Sequence, residues 1–186
     1  MPVNTEAYHL IKEQLQGKNV QLVAVSKTKP NEDIEALYAL GQRNFGENYV
    51  QELVDKAASL PKDIQWHLIG HLQTNKVKYI APYVSLIHSV DSLKLLQEID
   101  KQAEKNNRVI PCLLQVYIAN EDTKFGLDAE EVHALLGSPE YQALQHISIH
   151  GLMGMATNTD DEAQIEAEFA SLQQLHAELK AKHFAT

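Results

Sequence analysis

The sequence predicts an α/β protein of the (β/α)8 barrel type, a parallel TIM-barrel architecture in which six βα units are present and the last two are lacking. Three observations lead there. Strand-like apolar runs alternate with helix-like segments along the 186 residues without a break, the pattern of a parallel sheet with crossover helices. The first strand, Val20 to Val25, is apolar apart from Gln21, as a parallel strand buried on both faces would be. The segment after it, Ser26-Lys27-Thr28-Lys29-Pro30, contains no glycine, so the Gly-rich phosphate fingerprint of an open, doubly wound sheet is missing. A complete barrel takes about 250 residues. The expectation is therefore one domain, residues 1–186, incomplete at its C-terminal side.

The elements follow in order. Tyr8, Ile11 and Leu15 recur at helical spacing and predict a leading helix. After the first strand, Pro30 and Asn31 open a helix to about Leu40, and Gly41 supplies a stop. A short strand, Asn44 to Gly46, precedes a helix from Tyr49 to Leu60 that Pro61 ends. Ile64 to Gly70 is the third strand and Thr74 to Ile80 the third crossover helix. Val84 to Val90 leads into a helix from Leu93 to Lys105, and Val109 to Ala119 into one from Ala129 to Leu136. Ile147 to Ala156 is the sixth strand, and a polar-faced helix runs from about Asp161 to Lys182. Asp160, Asp161 and Glu162 are read as its capping charges.

Composition narrows the function. The formal net charge is −9, and no Lys/Arg cluster offsets it, which disfavours nucleic acid as a partner. No apolar run approaches the roughly twenty residues that cross a bilayer, and Met1 to Leu15 lacks the unbroken apolar segment of a signal peptide. Cys112 is the only cysteine. It lies in the apolar run Ile110 to Leu114 and reads as a buried thiol in a reducing cytoplasm. A soluble cytoplasmic protein is expected.

Lys27 is the sharpest chemical feature. It sits just past the C-terminal end of a strand, where barrels of this type build their sites. An apolar wall and the nearby Lys29 both disfavour a charged amine. A neutral lysine amine is the nucleophile that takes up an aldehyde as an imine. The plainer alternative is a solvated loop lysine.

Five blocks widen the reading. They are Ala24-Val25-Ser26-Lys27-Thr28-Lys29-Pro30, the run from Phe45 to Glu52, the run from Trp66 to Lys76, Lys124-Phe125-Gly126, and His150-Gly151-Leu152-Met153-Gly154-Met155. In content, order and spacing they resemble the pyridoxal phosphate homeostasis family, across nearly the whole chain. The resemblance implies an alanine-racemase-like barrel, of fold type III among pyridoxal phosphate proteins, that holds pyridoxal 5'-phosphate as a Schiff base on Lys27. It implies a protein that handles and buffers the cofactor inside the cell, with no established turnover.

The resemblance also selects candidate cofactor-binding residues, each with a competing reading. Asn48 is placed to hydrogen-bond the cofactor ring or orient Lys27; as a helix N-cap it would serve equally well. His67 points into the barrel near the ring, or is a satisfied core histidine. Lys124 is a second amine on the same barrel face, or a solvated loop charge. Met153, sharing a strand side with Met155, lines the pocket or packs the core. His67 and His71 have ligand-like spacing, but Gly70 breaks the strand between them and no third ligand is at hand, so no metal is expected.

The family's closing segments, which bind the cofactor phosphate, have no counterpart here, which again implies a barrel short of two units; the completed barrel is expected to be a monomer. The alternative function is a pyridoxal phosphate-dependent amino-acid racemase or decarboxylase of the same barrel type. Those enzymes add a β-domain, and no β-rich extension is present. A lysine-imine aldolase on an unrelated barrel is the third reading; it requires an acid–base carboxylate that the sequence does not place.

Overall fold

The structure, a computed structural model, describes residues 3–119 and 126–184. Six parallel strands form one sheet: β1 (Ala24–Val25), β2 (Asn44–Glu47), β3 (Gln65–Leu68), β4 (Leu86–Val90), β5 (Ile110–Val116) and β6 (Ile147–Gly154). Their spatial order equals their sequence order, and every neighbouring pair is parallel. That order decides between the two parallel architectures. A doubly wound sheet reverses direction at a switch point; here each crossover steps to the next strand in the same sense, as in a barrel wall.

The helices pack on one face. They are α1 (Thr5–Leu15), α2 (Asn31–Ala39), α3 (Val50–Ser59), α4 (Val77–Ile80), α5 (Leu93–Lys105), α6 (Ala129–Gly137), α7 (Pro139–Gln142) and α8 (Glu162–His183). Phe45, Leu68, Ile87 and Leu114 of the strands are fully buried against Ile34, Leu53, Leu96, Ile99 and Leu136 of the helices. Cys112 lies in this layer, and burial pushes its thiol up to about 12.

Local chemistry sets the element ends. Asn4 caps α1, Ser92 caps α5, and Asp128 with Glu131 makes a reciprocal capping box at α6. Asp161 caps α8 by accepting from the amides of Ala163 and Gln164. Gly41 takes φ +91° just past α2, the left-handed stop its position in the sequence implies.

Three expectations need correction. The first strand is two residues, not six, and it is not buried on both faces: Val20 is 58 % and Val25 52 % exposed. Among the described residues β1 is an edge strand that pairs with β2 alone, and the preceding stretch is held by a side chain, Gln42 donating to the Leu22 carbonyl at 2.9 Å. The segment Thr74 to Ile80 is a 3₁₀ turn followed by the four-residue α4, not one continuous helix. The short α7 was not anticipated; Ser138 caps it and Pro139 starts it.

Candidate functional site

Lys27 stands two residues past β1, in a turn at the C-terminal rim of the sheet, and its side chain is exposed. It is not set against a closed apolar wall, contrary to the expectation from its flanks, because the neighbouring Val25 is itself half exposed on the edge strand. Thr28, the next residue, has φ +61°. A β-branched residue in the left-handed region costs on the order of 1–3 kcal/mol and persists only where its surroundings enforce it.

The enforcement is a buried ionic cluster behind the turn. Lys56, on α3, is 5 % exposed, and Glu47, the last residue of β2, is fully buried. Lys56 Nζ donates to Glu47 Oε1 at 2.8 Å, to Glu52 Oε1 at 2.7 Å and to the Ser26 carbonyl at 2.7 Å. All three ammonium protons are thereby used. Glu47 Oε1 also accepts from Ser26 Oγ, and Glu52 Oε1 accepts the backbone N–H of Thr28 at 2.6 Å. Burial raises the Glu47 carboxyl above its ordinary range, against the lowering pull of its Lys56 and Ser26 hydrogen bonds. Burial also acts to raise Glu52, but the hydrogen bonds from Lys56 and Thr28 outweigh it and its pKa falls below the ordinary value. Sequence reasoning missed this cluster. The available signal was Glu52 and Lys56, an i,i+4 acid–base pair on one helix.

A second polar group lies on the opposite face of the sheet from the helix-packed core. Register places Val25 beside Gly46 and Gly46 beside His67 in one row across β1, β2 and β3. His67, 4 % exposed, has Nδ1 at 2.8 Å from His88 Nε2 and Nε2 at 3.0 Å from Asn44 Oδ1. An amide oxygen only accepts, so His67 Nε2–H donates to Asn44, and His67 Nδ1 accepts from His88. Burial lowers both imidazoles to about 4, so each is neutral near pH 7. His67 is thus a partnered interior histidine, and Asn44 and His88 are partners the sequence did not single out. His71 is engaged elsewhere, its Nδ1 3.2 Å from Asp91 Oδ2. Among the described residues, no group of three potential ligands could hold a metal ion.

Asn48 is not the N-cap of α3; Tyr49 holds that position, and no side chain caps the helix. Asn48 instead lies under the loop that follows β3. A Cβ on Gly70 would come within 2.5 Å of the Asn48 carbonyl oxygen, so only glycine allows that approach. Asn48, Gly70, His71, Gln73 and Lys76 line a depression at the rim, next to the strand that bears Lys27. Met153 is partly buried on β6, opposite Gln115. It stands on the other edge strand, with four strands between it and β1. Met155 lies past the end of β6 and is 46 % exposed. Lys124 lies outside the described residues.

A sequentially wound parallel sheet with an exposed lysine just past its first strand defines the class: residues 5–186 match the family model of the alanine racemase N-terminal domain. Solved alanine racemases share the fold at low identity; one from Clostridium difficile superposes with a TM-score of 0.73 at 12% identity, covering 96% of this chain and 47% of that one. More specifically, the chain belongs to the pyridoxal phosphate homeostasis protein family. It is 38% identical over 164 residues to the member from Pasteurella multocida, spanning 87% of this chain and 70% of that one. It is 39% identical over 170 residues to the member from Aquifex aeolicus, spanning 90% and 73%. PipY of Synechococcus elongatus, solved with PLP bound, superposes with a TM-score of 0.83 at 38% identity, covering 95% of this chain and 82% of that one. Among the described residues, no helix is long and apolar enough to cross a membrane.

Proposed function

We propose that this chain binds pyridoxal 5'-phosphate as a Schiff base on Lys27 and serves intracellular homeostasis of that cofactor rather than catalysing a reaction of its own. The observation that supports it best is the setting of Lys27: an exposed amine on the C-terminal rim, in a turn pinned by a buried cluster, in a relative of a PLP-bound protein.

The residues present fit the group. Beside Lys27, Val25 is half exposed on the edge strand and offers an apolar surface for a flat ring, while Gly46 next to it is covered by the side chains of Val23 and Ile69. Asn48 stands on the same rim as a polar side chain for the ring or the amine, and His67 with Asn44 gives a neutral floor below it. A neutral floor matters, because an imidazolium there would repel a protonated imine. When bound, the cofactor supplies an aldehyde carbon that the Lys27 amine takes up with loss of water. The chain's own residues present the amine, hold its turn and keep the His67 and His88 rings of this sheet face neutral. Met153 and Lys124 remain in the proposal as contacts from the later strands and loops. The reading carries with it a cytoplasmic protein, monomeric as a complete barrel.

The test is absorbance of the cofactor-loaded protein, followed by borohydride reduction and peptide mapping. The wild type should show the visible band of a protein-bound imine and a reduced label on Lys27. Lys27→Ala should lose both. A band that persists in Lys27→Ala, with the label on Lys29 or Lys124, would overturn the assignment.

A further inference from the structure

Ser26, Lys27 and Thr28 are consecutive, and the buried cluster holds the residue on each side of Lys27. The Ser26 carbonyl accepts from Lys56 and its hydroxyl donates to Glu47; the Thr28 amide donates to Glu52. Ser26 is buried, and the Lys27 side chain is exposed. Thr28 adopts its left-handed φ of +61° between these anchors, in a turn that Lys29 N–H closes on the Ser26 carbonyl at 3.0 Å, and the cluster adds to that bond what a β-branched residue in this region needs from its surroundings. Fold stability alone does not account for the arrangement, since any loop with Gly at position 28 would connect β1 to α2 without strain.

We propose that Lys56, bridging Glu47 and Glu52, is the positioning residue for Lys27: the cluster fixes the backbone on both sides of the cofactor lysine so that its amine meets an aldehyde in one orientation. The proposal rests on the reading that Lys27 forms the imine. Lys56 touches neither ligand nor reacting atoms; it acts through the turn. Fixing a nucleophile in advance spares entropy at the moment of reaction, and a misplacement of about 1 Å costs about 100-fold in rate.

The decisive variants are Glu52→Ala, Glu52→Gln and Thr28→Gly, made in the full chain beside Lys27→Ala. Glu52 is chosen because its side chain is 24% exposed, so its loss spares the fold. Each is mixed with pyridoxal 5'-phosphate, and three quantities are read: the rate constant of imine formation, the site labelled after borohydride, and the urea midpoint. Glu52→Ala should slow imine formation roughly 10- to 100-fold with a small change in midpoint. Glu52→Gln, whose amide oxygen still accepts from Thr28 N–H, should recover most of the rate. Thr28→Gly should leave the midpoint equal or higher yet slow the reaction, because a relaxed turn no longer fixes the amine.

A purely structural role predicts the opposite coupling, with rate following stability in every variant. Wild-type rates in Glu52→Ala and Thr28→Gly, or a Thr28→Gly rate that rises with its midpoint, overturn the positioning role. Failure of the underlying reading looks different: Lys27→Ala would keep the imine on another lysine, and the positioning role would fall with it.

Discussion

His67 Nδ1 lies 2.8 Å from His88 Nε2 across β3 and β4, and burial lowers both rings to about 4 from an ordinary 6.5. The folded protein therefore takes up these two protons only near pH 4, whereas the unfolded chain takes them up near pH 6.5. Stability from this pair is fully present above pH 6.5 and is lost as pH falls from there through 4. At about 1.4 kcal/mol per unit, discounted because the two rings titrate as a pair, the loss is on the order of 3 kcal/mol. Urea unfolding at pH 7 and pH 4.5 should show it. The double variant His67→Asn/His88→Gln should have a visibly flatter pH dependence; an unchanged slope would mean the rings are not neutral partners in the fold.

Lys56 and Glu47 give a second prediction. Lys56→Met strands a fully buried carboxylate at Glu47, and breaking a buried pair by removing one partner costs about 3–5 kcal/mol. Lys56→Met/Glu47→Leu should recover part of that, because the stranded charge is gone, though Ser26 loses its partners as well. A urea double-mutant cycle measures the coupling. Additive losses would show that the two charges do not depend on each other.

These two clusters mark the limit of what the sequence made legible. The parallel α/β architecture, the helix from Leu93 to Lys105 to the residue, the capping role of Asp161 and the placement of Lys27 at a strand end all follow from period, capping and breaker chemistry, which are local. What was missed is non-local. Glu47 meets Ser26 across 21 positions and His67 meets His88 across 21, and no spacing rule foretells which buried polar residues will face each other. The exposure of Val25 was missed for the same reason: apolar content suggested burial, but the position of β1 at the edge of the sheet decides it. Asn48 shows the converse failure, a good capping residue left out of the cap because the chain needed it one position earlier, beneath Gly70.

The interior imidazoles also bear on catalysis. A two-base racemase needs a second proton acceptor opposite the cofactor lysine. His67 uses both ring nitrogens, on His88 and Asn44, and burial lowers the His88 ring to about 4, which makes it a weak proton acceptor. Proton exchange at Cα of L-alanine with added pyridoxal 5'-phosphate should therefore run no faster than with the free cofactor. Exchange above that rate, abolished by Lys27→Ala, would establish an enzyme.

Gly70 makes the closest backbone approach at the rim, and it separates packing from propensity. An added Cβ would lie 2.5 Å from the Asn48 carbonyl oxygen and 2.8 Å from its Cα. Both are backbone atoms that cannot swing aside, so the β3 loop or the Asn48 segment has to move. Gly70→Ala should cost about 1–3 kcal/mol, the usual price of overpacking, and should weaken cofactor binding by displacing Asn48. Gly137 is the control. It closes α6, a Cβ there meets nothing within 4 Å, and the same substitution should stabilise by about 0.4–1 kcal/mol by restricting the unfolded chain. Urea unfolding of the two variants, with cofactor titrations alongside, compares the same added methyl group in the two settings. If Gly70→Ala is as benign as Gly137→Ala in both stability and cofactor affinity, the loop after β3 does not hold Asn48 in place.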